Sequence, residues 1–309
     1  MSKDAIKIGT RGSRLAMAQS QYVARRLTEI YPEIKCHPVE IKTTGDADRR
    51  SALHEIGGTG LFTKTIEQEL LDGNIDLAVH SAKDLPAVMT PGLAIGAVPP
   101  RESPADVWIS KTARSLSATP AGSLVGTGSV RRKAQLLYAF PNLRVADIRG
   151  NVETRLKKLE EGRYEALIMA HAGIIRSGFE DRITEVLPLD DFIPSPGQGC
   201  LVVQVRTDDK SNRDLVAPLN DPEARICLET ERLFLSRLGA GCSASVGGLA
   251  RIIGGRLNLM ASVLDKTGKR RLLASGNIDI DKYYRRLVDD IAGRLLSDGA
   301  EKLLDESDG

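Results

Sequence analysis

The fold is decided between residues 124 and 170, which read LVGTGSVRRKAQLLYAFPNLRVADIRGNVETRLKKLEEGRYEALIMA. Short apolar runs alternate there with longer segments whose apolar residues recur at helical spacing. The strand-like and helix-like segments follow in the order Leu124 to Val125, Val130 to Ala139, Val145 to Ile148, Val152 to Glu161 and Ala166 to Ala170. Such alternation is typical of an α/β domain with a mostly parallel sheet.

The first hundred residues show the same alternation. Its segments are a strand from Ile6 to Thr10, a helix from Arg14 to Ile30, a strand at Val39 and Ile41, a helix marked by Phe62, Ile66 and Leu70, and a strand from Ile75 to Val79. A further strand is expected from Val107 to Ile109. The pattern therefore predicts two α/β domains.

The last ninety or so residues have a different pattern. A helix is expected from Glu223 to Arg237, followed by hairpin strands with turns at Gly254-Gly255 and Thr267-Gly268. A final helix carries Tyr284, Leu287, Val288, Ile291 and Leu295 on one face. This order predicts a small α+β domain at the C-terminus.

Proline-rich stretches mark the expected crossings between domains. One lies at Pro99 and Pro100, and the other spans Pro194 to Gly199, before a strand from Leu201 to Arg206. The predicted domains are residues 1–99 with 200–217, residues 100–199, and residues 218–309. We expect a ligand-binding cleft between the first two.

Composition excludes several classes of protein. The 309 residues have a formal net charge of only +2 and 4% aromatic residues, which disfavours a nucleic-acid partner. No apolar run approaches the roughly 18 residues of a membrane span, and no signal peptide is apparent. The four cysteines are scattered without the spacing of a metal site. We expect a cytoplasmic monomer with free thiols and no metal.

Basic side chains follow the predicted strands. The loops Thr10 to Ser13, His80 to Pro86, Thr127 to Arg132, Arg149 to Arg155 and Ala170 to Arg176 each carry Arg or Lys. Ligands of open α/β sheets bind beyond the carboxyl ends of the strands. Ser129 is a good helix N-cap, which places Arg131 and Arg132 in a first turn where cations oppose the helix dipole. Helix starts of this kind favour an anionic ligand.

Ordinary surface arginines are the alternative interpretation of these loops. We adopt it for Arg25-Arg26 and Arg285-Arg286, which lie on polar helix faces. For five strand-end loops together, binding of a polyanion is the better hypothesis.

Three further features suggest chemistry. Asp84, directly after an apolar strand, is suited to stabilising a cation or holding a ligand N–H, or else to pairing with Lys83 or capping a turn. Cys242, among small residues, is predicted to be an accessible thiol. Residues 45–60, with Gly57-Gly58-Thr59-Gly60, form either a lid or a surface loop.

An ordered set of motifs resembles the porphobilinogen deaminase family. The motifs are Thr10-Arg11-Gly12-Ser13, Gly60-Leu61-Phe62, Val79 to Pro86 (VHSAKDLP), Gly126 to Arg132 (GTGSVRR), Arg149 to Arg155 (RGNVETR), Pro196-Gly197-Gln198-Gly199 and Gly241-Cys242. They occur in family order over nearly the whole chain. The resemblance implies two α/β domains of the type II periplasmic-binding-protein class, with the active cleft between them, and a small C-terminal α+β domain.

The resemblance also implies a transferase of porphyrin and heme biosynthesis, a hydroxymethylbilane synthase. Four porphobilinogen molecules would be joined, each with loss of ammonia, to a dipyrromethane cofactor held as a thioether on Cys242, and hydrolysis would release the linear tetrapyrrole. Asp84 would be the catalytic carboxylate. The implied cofactor-binding residues are Lys83, Asp84, Thr127, Ser129, Arg131, Arg132 and Arg155. The implied substrate-binding residues are Arg11, Ser13, Phe62, Arg149, Arg176 and Gln198.

Three positions depart from the family pattern. Thr59 and Glu55 stand where basic residues are common, and no proline follows Cys242 closely. A catalytically altered relative is therefore one rival hypothesis. A non-catalytic anion-binding protein of the same fold class is the other, because fold does not fix function.

Overall fold

The computed structural model describes residues 5–42, 63–241, 244–280 and 283–305. Its strands are β1 (Ala5–Thr10), β2 (Lys35–Glu40), β3 (Leu77–Ser81), β4 (Leu93–Ala97), β5 (Asp106–Ser110), β6 (Leu124–Gly126), β7 (Arg144–Ala146), β8 (Ala166–Ala170), β9 (Glu185–Val186), β10 (Leu201–Arg206), β11 (Val246–Ile253), β12 (Arg256–Leu264) and β13 (Arg271–Asp279). Its helices are α1 (Arg14–Ile30), α2 (Lys64–Leu71), α3 (Val130–Ala139), α4 (Val152–Glu160), α5 (His171–Arg176), α6 (Lys210–Val216), α7 (Pro222–Arg237), α8 (Tyr284–Ser297) and α9 (Ala300–Asp305).

The chain divides into two compact units. Unit 1 comprises Met1–Glu102 with Cys200–Ile226, and unit 2 comprises Ser103–Gly199 with Cys227–Gly309. Both units are therefore discontinuous in sequence.

Unit 1 is built on a five-stranded sheet in the order β2-β1-β3-β10-β4. β1 pairs in parallel with β2 and β3, and β10 pairs antiparallel with β3 and β4. One face packs on α1 through Val23 and Leu27, and the other packs on α2 through Ile66 and Leu70. Because both faces are covered, the central strands β3 and β10 are buried along most of their length and are mainly apolar, with His80 and Gln204 as buried polar exceptions.

Unit 2 repeats this plan and adds a second sheet. The five-stranded sheet has the order β7-β6-β8-β5-β9, with β5 antiparallel to β8 and β9. Trp108 and Ile168 face one core, while Val107 and Leu167 face the other. An antiparallel three-stranded sheet, β11-β12-β13, follows, with α8 packed against β12 and β13.

These sheets confirm the predicted mixed α/β class with a small C-terminal α+β part. The bounds of α1, α3, β8 and β10 agree with the sequence pattern. One strand was predicted too long, because β7 ends at Ala146 and the chain then turns toward α4 with Ile148 buried. In the described part of the chain, no helix is both long enough and apolar enough to span a membrane.

A buried glutamate fixes the segment that contains Gln198. The Glu231 carboxylate on α7 accepts hydrogen bonds from the Gly197 N–H at 2.6 Å and from the Ala250 N–H on β11 at 2.8 Å. Gly247 lies so close to this segment that an added Cβ would sit 2.8 Å from the Ile193 carbonyl oxygen. α7 and β11 together therefore hold the segment from Ile193 to Gly199 in place.

Candidate active site

The turns after β1 and β3 line a cavity of about 70 Å³ in unit 1. Ser13 caps α1, since its Oγ accepts a hydrogen bond from the Ala16 N–H at 3.2 Å. Arg11, two residues earlier, lines the same cavity. Asp84 ends the single 3-10 turn Ala82–Asp84 and is exposed at the cavity. The structure thus brings together three residues that the sequence singled out: Arg11, Ser13 and Asp84.

Four more polar residues line this cavity and were not predicted as site residues: Gln19, Thr63, His80 and Ser81. The buried Gln19 on α1 donates from Nε2 to the Ser81 Oγ at 2.9 Å. A polar residue within the buried stripe of an amphipathic helix was the available signal. Lys83, in the same turn as Asp84, is partly buried.

The start of α3 organises the basic loops of unit 2. Ser129 is its N-cap, and its Oγ accepts from the Arg132 N–H at 3.4 Å. Thr127 is buried after β6, and its Oγ1 accepts from the Ser129 N–H at 3.3 Å. Arg131 and Arg132 occupy the first turn of α3, as predicted, but both are buried, with exposures of 3% and 6%.

Asp106, at the start of β5, is the counter-charge that permits this burial. Arg132 reaches its Oδ1 from Nε at 2.9 Å and from Nη2 at 2.8 Å. Arg131 Nη1 lies 2.8 Å from its Oδ2, an ion pair without hydrogen-bond alignment. Burial alone would raise the pKa of Asp106, but the charges of Arg131 and Arg132 hold it well below the usual range.

Gln198 completes the buried group. Its Nε2 donates to Asp106 Oδ1 at 2.8 Å and to the Pro104 carbonyl at 2.7 Å. Its Oε1 accepts from Arg132 Nη2 at 3.1 Å. Gln198 therefore orients the ion pair, and contact with substrate stays a prediction for this residue.

The remaining arginines of unit 2 lie on separate loops. Arg155 Nε donates to the Gly150 carbonyl at 2.7 Å. Burial and then the charge of Arg132 lower the pKa of Arg155 to about 10, so these two cations influence each other. Arg149 is exposed before α4, and Arg176 ends α5 with Nη2 donating to the Gly199 carbonyl at 2.8 Å.

The cluster of Arg131, Arg132, Arg155 and Asp106 holds more positive than negative charge. Such a cluster attracts carboxylates, which arginine binds through paired hydrogen bonds. The sequence pattern indicates the arginines of this cluster but not Asp106, because an aspartate at the start of an apolar strand carries no local sign of a partner 25 residues or more away. Phe62, Cys242 and residues 45–60 with Glu55 and Thr59 lie outside the described residues.

Fold and site define a protein of two α/β-containing units whose strand-end loops favour anions. Residues 6–214 match the family described as "Porphobilinogen deaminase, dipyromethane cofactor binding domain", and residues 225–296 match "Porphobilinogen deaminase, C-terminal domain". The chain belongs to the porphobilinogen deaminase family.

Curated relatives agree over nearly the whole chain. Porphobilinogen deaminase from Syntrophobacter fumaroxidans is 40% identical over 99% of both chains. The Desulforudis audaxviator protein of the same name is 45% identical over 97% of this chain and 96% of its own. Among solved structures, the methionine-binding protein MetQ gives a TM-score of 0.45 at 12% identity, covering 72% of this chain and 93% of its own.

Family membership confirms the predicted function. The chain is a transferase of tetrapyrrole biosynthesis, a hydroxymethylbilane synthase that acts on porphobilinogen and contains the family's dipyrromethane cofactor-binding domain.

Replacing Asp106 by Asn should leave two buried guanidinium groups without a counter-charge, at a cost of about 3–5 kcal/mol in the free energy of unfolding at pH 7. Because the folded pKa of Asp106 is depressed, its contribution is complete above the unfolded pKa near 3.8 and declines as the pH falls through the folded value. Urea titrations between about pH 3 and 7 should therefore show a constant difference in unfolding free energy between parent and variant down to about pH 4, and the start of its decline below that pH.

A matched control is Asp289→Asn, which removes an ion pair of 2.7 Å to Arg237 in which both side chains are about half exposed. That change should lower the free energy of unfolding by at most about 1 kcal/mol. Equal losses for the two variants would contradict the role given to Asp106.

Proposed function

We propose that Asp84 is the catalytic carboxylate of this hydroxymethylbilane synthase. The observation that carries the proposal is its position: an exposed carboxylate at the end of a buried strand, in one cavity with Arg11 and Ser13. A fixed negative charge there would stabilise the cation that forms on porphobilinogen as ammonia leaves. Arg11 and the Ser13 hydroxyl would bind and orient the substrate's carboxylates.

In unit 2, we propose that the residues around the start of α3 hold carboxylates of the cofactor. The excess positive charge of Arg131, Arg132 and Arg155 fits its acidic side chains, and Ser129 and Thr127 add hydroxyls to the same turn. When bound, dipyrromethane supplies the pyrrole to which substrate is joined. Asp106 keeps the two buried guanidinium groups oriented, and Gln198 adds a hydrogen bond to that of Arg132.

The variant Asp84→Asn should retain its cofactor but consume porphobilinogen at least about 100-fold more slowly, because the fixed charge is lost. Ammonia release at saturating substrate measures turnover, and intact mass reports the cofactor. Asp208→Asn, on the exposed turn after β10, is the matched control and should turn over normally. Near-normal turnover of Asp84→Asn would exclude the proposed role.

We also propose that Cys242 carries the cofactor as a thioether, since its neighbours are small and the other cysteines differ in setting. Cys200 and Cys227 are buried, and Cys36 is partly buried with burial raising the pKa of its thiol. A raised pKa leaves less of the nucleophilic thiolate.

Intact mass under denaturing conditions tests the tether. The parent protein should carry the extra mass of two linked pyrroles, and Cys242→Ala should carry none. Cys36→Ala is the control that should keep the extra mass. An adduct that persists in Cys242→Ala would move the tether to another residue.

We further propose that the protein acts as a cytoplasmic monomer. The hydrogen-bond partners given above for Glu231, Gln198 and Gln204 lie within one chain, and the described cysteines are free, as expected in a reducing compartment. Light scattering should give the mass of a single chain, and cell fractionation should place it with cytoplasmic proteins. An assembly of several chains would contradict the first expectation, and enrichment with membranes the second.

A further inference from the structure

His80 is a buried titratable group next to the proposed catalytic residue that the proposed mechanism does not use. It lies in β3, four residues before Asp84, and is 5% exposed. His80 is one of the residues that line the cavity with Asp84 and Arg11, and its ring interacts electrostatically with Asp84. A charge on this ring would therefore act directly on the reaction site.

A chain of hydrogen bonds ties His80 to a buried carboxylate. His80 Nε2 lies 3.1 Å from Gln204 Oε1, and Gln204 Nε2 donates to Glu67 Oε1 at 2.7 Å. The second oxygen of Glu67 accepts from the Thr90 hydroxyl at 2.8 Å. Gln204 and Glu67 are both buried, so the chain crosses the interior of unit 1.

This chain fixes which ring nitrogen carries a proton, and burial disfavours the charged ring. Because the Gln204 amide donates to Glu67, its oxygen faces His80, and His80 must donate from Nε2. Burial lowers the pKa of His80, although Glu67, the bond to Gln204 and Asp84 oppose the shift. At neutral pH the ring is therefore uncharged, with its proton on Nε2.

Charged groups surround His80 on several elements. Glu67 approaches from α2, Asp84 from the turn after β3, and Arg11 from the turn after β1. Among the described residues that line the cavity, those on α1 are uncharged and include the polar Gln19. On β10, the residue that contacts the His80 ring is Gln204, which is also uncharged. A protonated His80 would add a cation to a site where Asp84 has to oppose one.

We propose that His80 is a positioning residue whose uncharged ring, held by Gln204 and Glu67, leaves the charge of Asp84 free to act, and whose protonation switches the condensation off in acid. This inference rests on the role proposed for Asp84. It predicts that the loss of turnover at acidic pH reports the protonation of His80.

The pH dependence of kcat for porphobilinogen consumption by the holoenzyme tests the proposal, with each profile scaled to its own maximum. His80→Gln retains a donor for Gln204 but cannot become charged, so the acidic limb should move down by about one pH unit or more. Glu67→Gln should move it in the same direction, because the negative charge of Glu67 favours protonation of His80. Glu69→Gln, elsewhere on α2, should leave the limb in place. An unshifted limb in His80→Gln would overturn the proposal.

Imidazole ¹⁵N shifts provide a second measurement, independent of turnover. The sequence has four histidines, so the signals that disappear in His80→Gln identify the ring. At pH 7 they should show a neutral ring protonated on Nε2. A charged ring, or a proton on Nδ1, would overturn the inference. If Asp84→Asn is inactive and the acidic limb of His80→Gln is unshifted, only the role of His80 is refuted. If Asp84→Asn is active, the role of Asp84 is refuted.

Discussion

The contact between Asp106 and two arginines is the interaction on which the basic site of unit 2 depends. Arg131 and Arg132 lie at a helix start, where the dipole repels cations, and both are removed from water. Each of these conditions is unfavourable alone, and a single buried carboxylate within 2.9 Å of both arginines offsets them. Gln198 is bonded to Asp106 and to Arg132, and Arg131 donates from Nη1 to the Ile193 carbonyl at 2.9 Å, so further hydrogen bonds within the protein orient each guanidinium group.

In unit 1, the buried carboxylate near Asp84 is bound by uncharged groups and, among the described residues, not by arginines. This carboxylate is Glu67, which is satisfied by neutral hydrogen-bond donors from Thr90 and Gln204. The result is a polar chain that ends at an uncharged ring beside an exposed acid. Positive charge is thus concentrated at buried arginines in unit 2, whereas in unit 1 the exposed Asp84 shares its cavity with Arg11 and a buried histidine. Both arrangements fit the proposed binding of a ligand rich in carboxylates that forms a cation as it reacts.

The sequence predicted what depends on local pattern. The helical spacing of apolar residues and the N-cap serines predicted α1 and α3. The loops that follow the strands indicated Arg11, Asp84 and the arginines of α3 as site residues. The partners of those residues come from distant parts of the chain. Asp106 meets Arg132 only because β5 lies antiparallel beside β8, and Gln204 meets His80 only because β10 returns to pair with β3. Long-range pairing of this kind leaves no trace in a single sequence, so buried counter-charges and hydrogen-bond chains could not be predicted.

The position of β10 also bears on how the chain acquires its structure. β4 joins the first sheet through β10, whose residues follow the whole first segment of unit 2 in sequence. The sheet of unit 1 can therefore be completed only after Leu201–Arg206 has been synthesised and has left the ribosome. Because β5 to β9 precede this strand in sequence, they leave the ribosome earlier and can pair with one another first. The last strand-to-strand contacts of the N-terminal unit are thus formed late in synthesis, and a nascent chain stalled before residue 200 would expose a sheet edge that invites aggregation.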